Sequence, residues 1–433
     1  MKILSIETSC DETGIAVLAD TDQGAIALLG NALASQIELH AQYGGVFPAM
    51  AKRAHAQKIV ALMKEALGQA GLLGTTLSAS GTDARETILS ICTREDEMVN
   101  DFVDLFNTYE KPDIDYIAVT VGPGLEPALW VGINAAKVLN AVWGIPIIAV
   151  NHMEGHVVTA AVVEKNGISS FQTAQHSHLS AGSTSQRTAR EDQKNGNIVP
   201  SASEIQKTYE FRELQFPLLA LLVSGGHTEL VLTDSYGDYK KIGQTRDDAV
   251  GEAFDKVARM LGLPYPGGPA VSRLAKEFRT TGKSQQFEMP RPMIHSGDYD
   301  FSFSGIKTAM LYTIRDLGHE VTDDEKMALA CAFEDAVVDV IIKKTLRAAE
   351  EFHIQTIVVG GGVAGNSFLR EQLSLAVQNK LSGVTVLFPE PWLATDNAVM
   401  IGLAAFARGM TGTISTTPAS DLKANGNLSI ETE

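Results

Sequence analysis

The stretch Lys2–Leu18, KILSIETSCDETGIAVL, decides how the chain is read. An apolar run, a polar stretch from Glu7 to Thr13 and a second apolar run from Ile15 to Leu18 predict two strands joined by a polar tip carrying Glu7, Asp11 and Glu12. The shape returns far downstream in LLALLVSGGHTELVLT, Leu218–Thr233, with strands near 218–223 and 229–232 around the tip Ser224-Gly225-Gly226-His227-Thr228. Two hairpins with polar tips predict two related α/β domains. Glycine at the second tip lets backbone N–H groups approach a phosphate, but a purely structural hairpin uses glycine too, so this feature alone leaves both readings open.

A third glycine stretch, TIVVGGGVAGNSFLREQL (356–373), reads as a strand, a glycine turn and a helix. Gly360, Gly362 and Gly365 satisfy G-x-G-x-x-G and Glu390 follows the next apolar run, which makes a dinucleotide fold a rival. Its place near the end of the chain, with hairpins opening both earlier domains, fits better a nucleotide-binding turn that closes a duplicated two-domain fold. In the helix DDAVGEAFDKVARMLGL, Val250, Phe254, Val257 and Leu261 form one apolar stripe, with Asp255 beside it; the rigid turn PYPGGP that follows leaves Gly267 and Gly268 available for close approach.

The segment NHMEGH (151–156) opens a helix just beyond a predicted strand, at the edge where α/β sheets commonly place ligands. On a helix, His152 and His156 lie on one face a turn apart, so one metal ion can be held by both; a ligand-free pair is the bland alternative. Glu154 falls two residues after His152, on the far side of the helix, which disfavours the H-E-x-x-H protease arrangement. A two-histidine site needs a carboxylate, and Asp396 in PWLATDNAVMIGLAAF offers one, with a helix N-cap as its alternative role.

With 433 residues, 45% hydrophobic and 20% charged, the chain has the balance of a globular protein of two or more domains. Its 52 acidic against 35 basic residues give a net charge of -17, which argues against coating nucleic acid or anionic membrane by bulk attraction. Cys10, Cys92 and Cys331 are too scattered for a disulfide framework or a thiolate zinc site, and no apolar run approaches the about 20 residues of a membrane span. A cytoplasmic protein that does not enter membranes is expected. Two segments read as insertions: an acidic one over 73–112, taken as a solvated face with a short surface helix, and a mobile polar one over 163–210. Lys52, Arg53 and Lys58, with His40 and His55 nearby, form the best basic cluster, a candidate RNA contact or a solvated helix face.

The blocks ETSCDETGIAVL, HAQYGGVFPAMAKRAH, GPGLEPALWVGINAAK, NHMEGH, LLVSGGHTEL, DDAVGEAFDKVARMLGLPYPGGP, DFSFSGIKTA, GGGVAGNSFLR and LATDNAVMIGLAA occur in order along nearly the whole chain. In these the sequence resembles the universal tRNA threonylcarbamoyladenosine transferase family, in its bacterial and organellar branch. The resemblance implies two duplicated actin-like, RNase H-like (ASKHA) domains with a nucleotide and metal site in the cleft between them. The expected layout is a first domain over 1–162, a second over 211–392, a closing helix over 393–412 returning to the first domain, and a tail over 413–433. The implied reaction moves threonylcarbamoyl from threonylcarbamoyl-AMP to the exocyclic amine of the adenosine beside the anticodon, in tRNAs that read codons starting with A.

Carried over by motif, His152, His156 and Asp396 would hold one divalent ion, iron favoured and zinc possible. Leu222, Val223, Ser224, Gly225, Gly226, Asp255, Gly268 and Asn366 would bind the adenylate, and Asp11 or Glu12 would assist proton removal. Bacterial-type partner subunits, a TsaB-like paralogue and a TsaE-like ATPase, would accompany it. The rivals are an ATPase or sugar kinase of the same architecture, which would use carboxylate-bound magnesium in place of imidazoles, and a non-catalytic scaffold, which would lack the ligands.

Overall fold

The computed structural model describes residues 1–74, 84–165, 207–410, 412 and 414–432. The opening hairpin is β1 (Lys2–Glu7) paired antiparallel with β2 (Glu12–Asp20), and β3 (Ile26–Ser35) adds to β2. Helices α1 (Ile37–Ala41), α2 (Pro48–Gln69), α3 (Ala84–Ile91) and α4 (Asp96–Thr108) lead to β4 (Tyr116–Gly122), parallel to β1. Then α5 (Glu126–Trp143) crosses to β5 (Ile147–Asn151), parallel to β4, which runs straight into α6 (His152–Ala160). The strands β6 (Val162–Lys165) and β7 (Thr208–Phe211) complete a seven-stranded sheet of order β5-β4-β1-β2-β3-β7-β6.

The second lobe repeats the plan. Strands β8 (Leu218–Val223), β9 (Thr228–Ser235) and β10 (Asp238–Gln244) form the meander, and helices α7 (Val250–Met260), α8 (Gly267–Thr281), α9 (Ser304–Leu317) and α10 (Asp323–Glu351) follow. Next come β11 (Thr356–Gly360), α11 (Ser367–Lys380), β12 (Thr385–Leu387) and α12 (Ala398–Met410). The sheet order β10-β9-β8-β11-β12 matches the β3-β2-β1-β4-β5 core of the first lobe strand for strand. The duplication expected from the two hairpins is therefore topological, and the architecture is the duplicated actin-like one. It removes the dinucleotide rival: β11 sits inside a mixed sheet beside a hairpin strand, not at the head of a parallel series.

Central strands are buried on both faces, which is why KILSIE and LLALLV read as nearly unbroken apolar runs. Leu4 and Ile6 face the core under α2 and α5, and Ile3 faces the core under α12. Small residues let α12 lie close: a Cβ at Gly402 would stand 2.4 Å from Leu18 Cδ1. Helix α6 joins the lobes. Its nine residues are all buried, with Met153, Val157 and Ala160 packed on Leu218, Ala220, Leu222 and Val358 of the second sheet.

Three expectations need correction or a limit. The acidic 73–112 segment, of which 75–83 lie outside the described residues, is not a solvated face over α4, because Met98, Val99, Phe102 and Leu105 recur at helical spacing and pack that helix into the first core. Phe106, next to that stripe, sets its ring edge-on to Trp143 at 4.9 Å. The polar segment 163–210 is not loop at its ends, since β6 and β7 pair there and extend the first sheet beyond 162; the rest of it, 166–206, lies outside the described residues. The tail, described over 414–432, is a strap over both lobes. Leu422 enters the first core and Ile430 the apolar cluster at the second sheet, while the Asn425 N–H donates to Val121 O at 2.9 Å and the Thr432 N–H to Tyr239 O at 3.1 Å.

If α4 is a packed element, Phe102→Ala costs about 3–5 kcal/mol of stability. Urea unfolding checks this, since a solvated helix face would lose less than about 0.5 kcal/mol.

Candidate active site

The β5–α6 junction presents the histidine pair. Asn151 is extended and its Oδ1 accepts from Met153 N–H at 2.8 Å, an N-cap that starts the helix at His152. His152 and His156 then project from one face with ring centroids 4.7 Å apart and planes nearly perpendicular. Asp396 enters from the turn before α12, its Oδ1 3.4 Å from His152 Nε2 and 3.2 Å from His156 Nε2. The alternative role for Asp396 falls to its neighbour: Asn397 Oδ1 accepts from Met400 N–H at 3.0 Å and caps α12.

His156 carries the clearest chemical signal. Both its ring nitrogens are buried without a hydrogen-bond partner, and the 3.2 Å approach of Nε2 to Asp396 is not aligned for one. An unsatisfied buried polar atom costs about 1–3 kcal/mol, so a donor set of this kind calls for a shared cation. Two ligands about 2.1 Å from a tetrahedral ion stand about 3.4 Å apart, the spacing seen here between imidazole nitrogens and carboxylate. The residues fit one divalent ion.

Glu7, which the sequence placed in a polar tip, ends β1 fully buried. Its Oε2 lies 3.2 Å from His152 Nδ1 and accepts from Thr120 Oγ1 at 2.5 Å, and its Oε1 accepts from Ser9 N–H at 2.6 Å. With an ion bound, this carboxylate would hold the proton on Nδ1 and leave Nε2 free to ligate beside Asp396, the arrangement that orients metal-ligating histidines. The signal available in sequence was an acid closing an otherwise apolar central strand, whose carboxyl end borders that of β5. Burial works against a charged His152, but Asp396 and Glu7 outweigh it and raise its pKa. Burial likewise opposes the charge on Asp396 and on Glu7, and in both it is overcome by His152, so both carboxyls fall below their usual range. Burial lowers His156, with His152 adding to the effect. His227, at the second tip, is pushed down to about 4 by burial and then by His152 and His156.

The remaining predicted residues fall around this centre in different states. Leu222 and Val223 are the last residues of β8, wholly buried and paired with Glu229 and Thr228 of β9. Ser224 organises the tip, its Oγ accepting from Gly226 N–H at 3.3 Å and His227 N–H at 3.0 Å. Gly225 and Gly226 are exposed and face open space, whereas the glycines the tip requires are Gly251 and Gly361. A Cβ at Gly251 would lie 2.7 Å from Ser224 O, and one at Gly361, with φ +91°, 2.4 Å from Val223 O. Asp255 Oδ1 accepts from Gly267 N–H at 2.7 Å, tying α7 to the start of α8 beside Gly268. Asn366 caps α11 through Leu369 N–H at 2.9 Å and donates to Ser272 Oγ at 3.0 Å and Glu334 Oε1 at 2.8 Å, so both its amide hydrogens are engaged.

At the first tip Asp11 is buried and Glu12 begins β2, taking a hydrogen bond from Ser35 Oγ at 3.2 Å. Burial, then Asp11 and Asp396, push the Glu12 carboxyl far above its usual range, so it keeps its proton at neutral pH. The basic cluster is corrected. His40 and His55 are buried, His55 between Thr13 Oγ1 at 2.7 Å and Cys10 O at 3.0 Å. Lys52 pairs with buried Glu95 at 2.7 Å and Arg53 with Glu97 at 3.5 Å, because the start of α4 folds its acids over α2. Glu154 points away from the histidines and pairs with Arg408.

Together these features define a two-lobed actin-like protein with a buried His–His–carboxylate centre in the cleft between its lobes. The family model for tRNA N6-adenosine threonylcarbamoyltransferase (TsaD) matches residues 27–79, 104–208 and 202–403. The protein of that name from Ralstonia pickettii is 40% identical over 413 residues, covering 94% of this chain and 91% of the relative. That from Nitrosospira multiformis is 37% identical over 412 residues, covering 95% and 92%. The chain belongs to the tRNA N6-adenosine threonylcarbamoyltransferase family. Among solved structures, HypF of T. kodakarensis is similar at a TM-score of 0.47 and 12% identity, over 98% of this chain and 48% of that one.

The division of labour between neighbours Asp396 and Asn397 is open to measurement. Removing the cap in Asn397→Ala lowers stability by about 0.5–2 kcal/mol in chemical denaturation; an unchanged midpoint would return the cap to Asp396.

Proposed function

We propose that the protein is a tRNA threonylcarbamoyltransferase, transferring threonylcarbamoyl from threonylcarbamoyl-AMP to N6 of the adenosine beside the anticodon in tRNAs that read codons starting with A. The observation that carries the reading is the convergence of His152, His156 and Asp396, with Ser9 of the first tip against His152 and the turn Gly360-Gly361 packed on both His156 and the second tip at Ser224, in a chain of this family. His152, His156 and Asp396 would hold one divalent ion, iron favoured and zinc possible, since imidazole and carboxylate donors suit both. When bound, that ion would supply Lewis-acid polarisation of substrate oxygens.

The chain's own residues orient the reactants. The turn Ser224-Gly225-Gly226, with Asp255 and Gly268 opposite, would seat the adenylate, and Leu222, Val223 and Asn366 hold that turn and the neighbouring helix start in place. The amine of the adenosine forms a bond to the carbamoyl carbon while the carbon–oxygen bond to AMP breaks, AMP leaving with the electron pair. One proton leaves the amine. Asp11 or Glu12, neighbours at the first hairpin tip, would accept it. We also place here a cytoplasmic location and assembly with partner subunits, a TsaB-like paralogue and a TsaE-like ATPase; among the described residues no helix is long and apolar enough to cross a membrane.

Unmodified tRNA incubated with the purified chain, threonine, bicarbonate, ATP, an adenylate-forming enzyme and the partner subunits should yield threonylcarbamoyladenosine on nucleoside mass spectrometry. Absence of that product with all components present would overturn the reading. Elemental analysis tests the ligands: His152→Ala and Asp396→Ala lose most of the bound metal, and the exposed His319→Ala loses none. Glu7→Gln should weaken metal affinity about 10–100-fold in chelator competition, as removal of an orienting carboxylate does. Unchanged affinity would take Glu7 out of that role.

A further inference from the structure

An enzyme with a net charge of -17 holds an RNA against its own field, so bulk attraction to phosphates does not supply the binding. The surface beside the cleft offers another means. Between α1 and α2, Tyr43 and Phe47 are each 56% exposed, with ring centroids 6.2 Å apart and planes tilted by 45°. Large apolar rings are costly to leave in water, and two together form a patch rather than a scattered residue. Their backbone is fixed. Gly44 (φ +67°) turns the chain, Phe47 N–H lies 3.4 Å from buried His40 Nδ1, and Pro48 begins α2 directly after Phe47.

The patch adjoins the reaction cleft. Gln36 N–H, just before α1, donates to Asp11 O at 2.9 Å, and Arg259 reaches from the second lobe to bond Gly44 O. Arg259 lies one turn after Asp255, the residue that ties α7 to α8 in the cleft. The rings thus stand at the rim between the two lobes, with an exposed guanidinium alongside. Unpaired bases of an RNA loop are recognised by stacking on aromatic rings and guanidinium planes, and a rigid platform orders little on binding.

We infer that Tyr43 and Phe47, flanked by Arg259, form a stacking platform for anticodon-loop bases next to the target adenosine. This rests on the tRNA-transferase reading above and names how that substrate is held. Stacking on a base is tolerant of sequence, so the platform positions the loop while the cleft selects the adenosine.

The test is binding of an anticodon stem-loop carrying 2-aminopurine beside the target adenosine to the full chain assembled with its partner subunits. Wild type should quench the fluorophore. Tyr43→Ala/Phe47→Ala should weaken binding at least tenfold and lose the quenching, with metal content and melting temperature unchanged. Tyr43→Phe and Phe47→Tyr, which keep the rings, should bind within about twofold of wild type. A double variant that binds and quenches like wild type overturns the platform. So does one that fails to assemble with the partner subunits, because the rings would then be a protein interface. A wild-type assembly that binds no stem-loop would instead remove the tRNA reading itself.

Discussion

Helix α6 has no solvent-facing side, and the arrangement of the molecule follows from that constraint. A buried helix finds only internal partners for its polar side chains: Glu154 pairs with Arg408 of α12, His152 with Glu7, and Thr159 with the His156 carbonyl, while the ring nitrogens of His156 are left without one. One side packs on α12 and the other on the second sheet, with approaches that admit no extra atoms. A Cβ at Gly155 would lie 3.0 Å from Met400 Cγ, and one at Gly360 would lie 2.6 Å from His156 O. The helix that carries two metal-type ligands is therefore also the joint between the lobes. How the lobes pack and where the imidazoles point are set by the same contacts.

The cleft is dense in carboxylates. Glu7 and Asp396 flank the two imidazoles, and Asp11 and Glu12 stand at the neighbouring first hairpin tip, where burial and then Asp11 and Asp396 push the Glu12 carboxyl up. An anionic adenylate entering such a site meets repulsion unless a cation offsets it, which agrees with the unsatisfied nitrogens of His156. The protein supplies little fixed positive charge there. On α2, Lys52 and Arg53 pair with Glu95 and Glu97 while Lys58 is exposed, so the acidic helix that follows both adds core and neutralises part of that face.

The segment 73–112 shows how charge can mislead. Its acids lie along one face of α4 while Met98, Val99, Phe102 and Leu105 lie along the other, and the composition of the stretch conceals the stripe. The strap 414–432 was similarly hidden. Leu422 and Ile430 are isolated apolar residues in a polar sequence, and only their docking sites in two different lobes give them a purpose.

Local pattern alone determined the two hairpins, the helical register of His152 and His156, the exclusion of Glu154 from that register, and the core stripe of α7. These depend on periods of two and 3.6 residues, which a sequence displays directly. Tertiary structure decided what long-range contact decides. It brought Asp396 to the histidines and gave the cap to Asn397, turned Glu7 from a tip residue into the partner of His152, and buried His40 and His55 out of the supposed basic patch. Apart from the Asn397 cap, these contacts pair residues far apart in the chain, such as Glu7 with His152 and Thr13 with His55, and no periodicity records which distant side chain will satisfy a buried polar atom. Folding settles that choice, because only the closed core makes an unpaired group expensive.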